Sequence, residues 1–190
     1  MNFKRIWKFI WHDDSLLSWI VNVILAFILV KFIIYPGLGL ILQTNYPVVA
    51  VVSSSMEHNE NFDKYWENAE LCYKEFNINK EDFQDYIMKN GFNKGDIIFL
   101  KGADNIKKGN VIVFRGNSQN PIIHRVVNIE NNYYQTKGDN YKTNCQSYPQ
   151  LGETKIMKEN IVGKALFKLP YLGWLKIGFT ELINVFRGGN

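Results

Sequence analysis

The 190-residue chain contains only two cysteines, three histidines and five prolines. Cys72 and Cys145 are too few for a disulfide framework, and no CxxC pair occurs, although the two could pair with each other outside the cytoplasm. No long run of one charge is present, and the net charge is only +4. With no zinc-finger spacing and no RNA-binding aromatic signature, nucleic acid is excluded as a partner. The histidines and cysteines have no metal-ligand spacing. A glycine-rich phosphate loop is also missing, so no metal and no cofactor are expected. Strand–helix–strand alternation and internal repeats are absent too. At 46% hydrophobic and 21% charged residues, the chain is not disordered. Its length allows one compact domain with an appendage.

One long apolar run is present. Residues 16–34 read LLSWIVNVILAFILVKFII, about the length that crosses a ~30 Å hydrocarbon core as a helix. Asn22 and Lys31 are its polar intrusions, and Lys31 lies close enough to the end to snorkel. A buried core helix is the competing reading, but nineteen residues this apolar are unusual for one. A cleavable signal peptide has a shorter apolar core and a small-x-small site after it, which this run lacks. Lys4, Arg5 and Lys8 precede the run and favour a cytoplasmic N-terminus. The expected division is a cytoplasmic segment 1–15, a single-pass anchor 16–36 ending at the helix breakers of Tyr35-Pro36-Gly37, and an extracytoplasmic domain 37–169 in the cell membrane's outer space.

That domain reads as mainly β. Candidate strands are 46–53, 96–101, 110–115, 121–129, 132–137 and 160–168, rich in Val, Ile, Phe and Tyr and punctuated by Gly-containing turns. They predict a small β-sandwich or barrel-like domain. Residues 57–93 form a helical insert with nine of the chain's 18 acidic residues. In it Phe62, Tyr65, Trp66, Ala69 and Tyr73 fall at helical spacing. A second short helix is predicted from Asn79, with Asp82 completing a capping box, Phe83, Tyr86 and Ile87 on one face, and a stop near Gly91. Residues 170–190 are apolar and aromatic but carry Lys176 and Glu181, and read as an amphipathic or membrane-interfacial helix or a packed domain helix.

Three short elements can do chemistry together. A serine hydroxyl is a poor nucleophile at neutral pH, so it needs a base within reach and a carboxylate to orient that base. Ser53-Ser54-Ser55-Met56 follows the run VVAVV, His124 lies in IIHRVV, and Asp139 lies in TKGDN. Each alone is as readily a polar turn or a satisfied structural residue. Together they supply nucleophile, base and acid at strand ends. Ser53 Oγ and the Ser55 N–H could stabilise an oxyanion, with Met56 beside them as a substrate-binding residue.

These elements resemble signal peptidase I. VVSSSME is similar to its serine box, IIHRVV to its base box in the form with His found in archaeal and endoplasmic-reticulum enzymes, and TKGDN to its acidic box. Gly95-Asp96-Ile-Ile and Asn160-IVGK-Ala165 are similar to flanking boxes, and the anchor comes first in both. The resemblance covers nearly the whole chain except the insert. It implies a membrane-bound serine endopeptidase that removes signal peptides from exported preproteins, close to the lipid bilayer and the protein-export machinery. In it Ser55 attacks, His124 shuttles the proton and Asp139 orients His124.

The chain departs from that pattern in four places, one of them Gly109-Asn110, which stands where a second Gly-Asp is common. His58 stands where the serine box usually has proline, and is read as structural, substrate-facing or an alternative base. The family often has a second aspartate about six residues after the first, but here that position is near Cys145 and no aspartate follows Asp139. Glu153 is the nearest later acid, so either Asp139 acts alone or Glu153 substitutes for the missing group. The insert separates the serine box from Gly95-Asp96. These departures keep two other readings open: a related peptidase for other surface proteins, and a catalytically silent membrane-anchored subunit or surface binding module.

Overall fold

The computed structural model describes residues 3–131, 133–172 and 178. The expectation for residues 170–190 therefore lies outside the described residues beyond Leu172, save Gly178. The chain forms two compact units, Met1–Ile41 and Leu42–Asn190.

The first unit is helical. α1 (Phe3–His12) is followed by α2 (Leu16–Leu29), a π-helical turn (Val30–Ile34) and α3 (Tyr35–Leu42). The last three form one helix, Leu16–Leu42, of 27 residues. The expected stop at Tyr35-Pro36-Gly37 does not occur. In the widened turn the Tyr35 N–H bonds to the Val30 carbonyl, five residues back. Pro36 then falls in the first turn of α3, where its ring and missing N–H disturb the ladder least. The most apolar window of this helix is only 6% buried, so by length and composition it could cross a membrane. Its polar intrusions near the start have partners. Ser15 caps α2 by accepting the Ser18 N–H at 3.2 Å. Ser18 Oγ donates to Phe9 O at 2.6 Å and Asn22 Nδ2 to Ile10 O at 2.9 Å, which satisfies carbonyls at the end of α1.

The second unit is mainly β, a curled half-barrel sheet of seven antiparallel strands ordered β1-β2-β7-β3-β4-β5-β6. The strands are β1 (Val48–Ala50), β2 (Ile97–Lys101), β3 (Val111–Phe114), β4 (Ile122–Glu130), β5 (Tyr133–Lys137), β6 (Ile156–Met157) and β7 (Ile161–Leu169). Bulges at Phe99/Leu100, Val113/Phe114 and Val126/Asn128 bend the ladder and increase its twist. Five of the predicted strands appear within a few residues. β1 is shorter than 46–53, because after Ala50 the chain leaves the ladder to form the serine turn. β6 was not predicted, since two residues are too short to show alternation. β1 and β6 are the two edges.

The insert contributes α4 (Phe62–Lys74) and α5 (Lys80–Gln84). Asn61 caps α4, and Asn79 with Asp82 forms the predicted capping box on α5. The apolar face of α4 is buried: Tyr65, Trp66, Ala69 and Tyr73 pack with Ile78, Phe83 and Val127 of β4. α5 is shorter than expected. It gives way to turns before Gly91, with Met88 in the left-handed region at φ 58°. A disulfide joins Cys72 on α4 to Cys145 in the loop after β5, across 73 residues of sequence. By loop-closure entropy such a link is worth about 4 kcal/mol. The insert is thus stapled to the segment that follows Asp139.

Candidate active site

Strand register organises the site. On β4 and β5, Arg125 lies opposite Lys137 and Val126 opposite Thr136. One more step brings Gly138 level with His124. Because side chains alternate across a sheet, His124, Thr136 and Gly138 share one face, while Arg125, Lys137 and Asp139 share the other.

The serine turn is clamped onto this place. Asn140 N donates to Ser55 O at 2.8 Å and Asn140 Nδ2 to Ser54 O at 3.0 Å. Gly138 permits the approach: a Cβ there would lie 2.6 Å from Ser55 O and 2.7 Å from Asn144 Cγ. Ser55 is half-buried and its hydroxyl lies 3.2 Å from Ser53 Oγ. Met56 points into the core. It is 1% exposed and packs in the core with Val51 and Phe92, and its Sδ accepts the Asp139 N–H at 3.3 Å. That corrects the substrate-binding expectation for Met56: an apolar side chain next to the turn anchors it instead.

His124 is buried, and its Nδ1 pairs with Glu153 Oε1. Glu153 is fully buried. Its Oε2 accepts the Tyr148 N–H at 2.9 Å, its Oε1 the Thr136 hydroxyl at 3.4 Å, and its backbone carbonyl the Thr136 N–H at 3.0 Å. Glu153 is thus fixed from two sides. With Nδ1 committed to the carboxylate, Nε2 is the nitrogen left to exchange a proton; it makes no hydrogen bond among the described residues.

Asp139 does not touch His124. The expected Asp139–His124 pairing is replaced by a second buried network on the opposite face. Arg125 Nε donates to Asp139 Oδ1 at 2.9 Å, and its terminal nitrogen to Oδ2 at 2.5 Å. Tyr73 O–H donates to Oδ1 at 2.7 Å, and His58 Nε2 lies 3.2 Å from Oδ2. Burial alone would raise the Asp139 pKa, but the Arg125 charge and the hydrogen bonds from His58 and Arg125 hold it well below the usual carboxylate range. Arg125 also donates to the carbonyls of Ile87, Met88 and Gly109, and lies 4.6 Å from the Phe83 ring centroid. This network joins the insert to the loop that carries Asn140.

His58 belongs to that network. It is 4% exposed and stacks on Tyr65 with ring centroids 3.5 Å apart. Because Nε2 meets a carboxylate, it carries the proton, which leaves Nδ1 buried without a partner among the described residues. Such a ring is a structural wedge, tied to Asp139 and stacked on Tyr65.

Lys137 is buried on the same face, 3.7 Å from the Tyr73 ring centroid, and donates to Gly138 O at 2.9 Å and Asn144 O at 3.3 Å. Burial pushes its pKa down to about 7, against the attraction of Asp139. A lysine depressed in the fold binds fewer protons folded than unfolded between about pH 7 and its usual ~10.4. Its contribution to stability therefore rises with pH across that window, by at most about 1.4 kcal/mol per unit. Denaturant unfolding of the chain in detergent from pH 7 to 9 is expected to show the rise, and Lys137→Met to remove it; an unchanged slope in the variant would refute the assignment.

Of the five residues expected at the site, Ser55 and Ser53 lie together in the turn that meets Gly138, His124 pairs with Glu153, the Asp139 carboxylate pairs with Arg125, and Met56 is buried in the core. The pair partner of His124, Glu153, had shown itself in the sequence only as the next acid along. Arg125 had a usable signal, a charged residue beside His124 inside an apolar strand, which must be paired if buried. Among the described residues no group of three or more His, Cys, Asp or Glu side chains could hold a metal ion.

A half-buried serine and a buried imidazole–carboxylate pair, on a β scaffold, supply the residue types that serine hydrolases use. The chain is similar in sequence to proteins named as signal peptidase complex catalytic subunits. It is 32% identical over 98 residues to the signal peptidase complex catalytic subunit SEC11C of Homo sapiens and of Canis lupus familiaris, covering 47% of this chain and 51% of theirs. The chain thus matches about half the length of these curated relatives. It is also 29% identical over 157 residues to the signal peptidase complex catalytic subunit SEC11 of Scheffersomyces stipitis, covering 79% of this chain and 75% of that one. No protein-family model matches the chain.

Proposed function

We propose that this protein is a membrane-bound serine endopeptidase that removes signal peptides from exported preproteins, with Ser55 as nucleophile, His124 as general base and Glu153 as the residue that orients it. The observation that carries this reading is the buried His124–Glu153 pair, level with the glycine that lets the serine turn approach.

His124 Nε2 takes the Ser55 proton as Oγ attacks the scissile carbonyl. Ser53 Oγ–H and the Ser55 N–H donate to the developing oxyanion. The imidazolium then returns its proton to the departing amine, leaving an acyl-serine. Water, deprotonated by the same nitrogen, attacks that ester and regenerates Ser55. Glu153 fixes the tautomer with the proton on Nδ1 and offsets the imidazolium charge. β1, five residues before Ser55, ends the sheet among the described residues, and its edge offers backbone groups to an extended substrate. The helix Leu16–Leu42 would hold the chain in a bilayer, with the β unit on the outer side, and the relatives' names support work within a complex of other subunits.

The test is direct. Detergent-solubilised chain is mixed with a reporter preprotein and the products are weighed by intact mass spectrometry. The expected result is one cut after a small residue at the end of the signal peptide. An uncut reporter, or cuts scattered through the mature part, would overturn the proposal.

A further inference from the structure

The helix α1 lies outside the peptidase chemistry and has three distinct faces. Ile6, Phe9 and Ile10 are half-buried. Phe3, Trp7 and Trp11 are exposed at 76%, 53% and 66%, and form a ridge of tilted rings with centroids 6.3 and 5.6 Å apart. Lys4, Arg5, Lys8 and His12 occupy the remaining arc, and α1 contains no acidic residue. Exposed aromatics of this size have no partner among the described residues of the first unit beyond one another, and bulky aromatics beside bases are the composition of a helix lying in a membrane interface. A second observation fixes where α1 sits. Ser18 and Asn22, the polar residues near the start of the long apolar helix, both donate to the last carbonyls of α1. They hold α1 at the end of the segment that could span a membrane, so its aromatic ridge meets whatever surrounds that end.

We infer that α1 is an in-plane membrane-interface helix, with Phe3, Trp7 and Trp11 buried among lipid chains and Lys4, Arg5 and Lys8 engaging anionic phospholipid headgroups. This rests on the reading of Leu16–Leu42 as a membrane span. Asp13 and Asp14 border the basic arc, in a cleft lined also by Arg5, Lys8, Phe9 and His12. Asp13 Oδ1 accepts the Ser15 N–H at 2.8 Å, so it is engaged at the helix turn. The arc along α1 itself stays wholly basic. Each Lys or Arg near an anionic leaflet favours the docked state about fivefold, and three together shift it about 100-fold. The attraction is electrostatic, so it weakens with salt.

The experiment uses the full chain. Cys72 and Cys145 are bonded to each other, so a cysteine placed elsewhere takes a nitroxide label selectively. Labels at Trp7→Cys, Lys8→Cys, Trp11→Cys and Ile24→Cys are read in vesicles of phosphatidylcholine alone or with about one-third phosphatidylglycerol. Collision with oxygen reports lipid and collision with a water-soluble nickel complex reports water. In anionic vesicles positions 7 and 11 are expected to be shielded from nickel, with position 8 exposed. Removing phosphatidylglycerol, or substituting Lys4, Arg5 and Lys8 together by Gln, is expected to return 7 and 11 to water. Equal nickel access at 7, 8 and 11 with position 24 still shielded would overturn the inference while the span stands. Shielding of 7 and 11 that ignores lipid charge would overturn the headgroup preference. Nickel access at position 24 would overturn the span and this inference together.

Discussion

Glu153→Gln is expected to lower turnover about 10³–10⁴-fold while the protein stays folded, an effect of the size seen when a triad loses its orienting carboxylate. The amide keeps the volume and can still accept from the Tyr148 N–H. It cannot stabilise an imidazolium, and it can present N–H to Nδ1, so the ring settles in the tautomer that places a proton on Nε2. That nitrogen can then no longer take the Ser55 proton. Ser55→Ala and His124→Ala are each expected to cost more, about 10⁶-fold, because they remove a reacting group. Combining either with Glu153→Gln should add little, since residues that act as a unit are not additive. Reporter cleavage under single-turnover conditions, with a thermal melt of each variant, checks this. A Glu153→Gln protein that cleaves within about twofold of wild type would show that the pair does not serve catalysis.

Arg125→Met is expected to destabilise the fold by about 3–5 kcal/mol, the penalty for leaving a buried charge without its partner. Asp139 would keep only Tyr73 and His58, and the carbonyls of Ile87, Met88 and Gly109 would lose their donor. Asp139→Asn alone strands the guanidinium in the same way. The double variant should therefore lose less than the sum of the two, because neither charge is then left uncompensated. Urea unfolding of the full chain in detergent measures all three. A loss under about 1 kcal/mol in Arg125→Met would mean that water reaches the network and screens it.

These two expectations separate what two buried carboxylates do. On these expectations Glu153, which pairs with His124, bears on rate, and Asp139, which pairs with Arg125, bears on the fold. Strand parity makes the division. Asp139 is an even number of residues from Lys137, whose register partner is Arg125, so it falls on the face away from His124. Linear order along the chain, nucleophile then base then acid, carries no information about that face. Glu153 reaches the correct face only because the chain turns at Tyr148–Gly152 and returns beside Thr136. Nothing local in the sequence marks such a return.

The sequence by itself determined the strand-rich domain, the helical insert with its capping box and the long apolar helix, and it put forward Ser55 and His124 as candidates. Those features rest on local periodicity, turn chemistry and short-range motifs, which act within a few residues. Only the tertiary structure decided which acid meets His124, that Met56 is core, that Cys72 pairs with Cys145 and that Pro36 fails to stop the helix. The first three are contacts between residues distant in sequence, selected by register and packing. The last turns on a π-helical turn whose hydrogen bonds are not written in any single residue's preference.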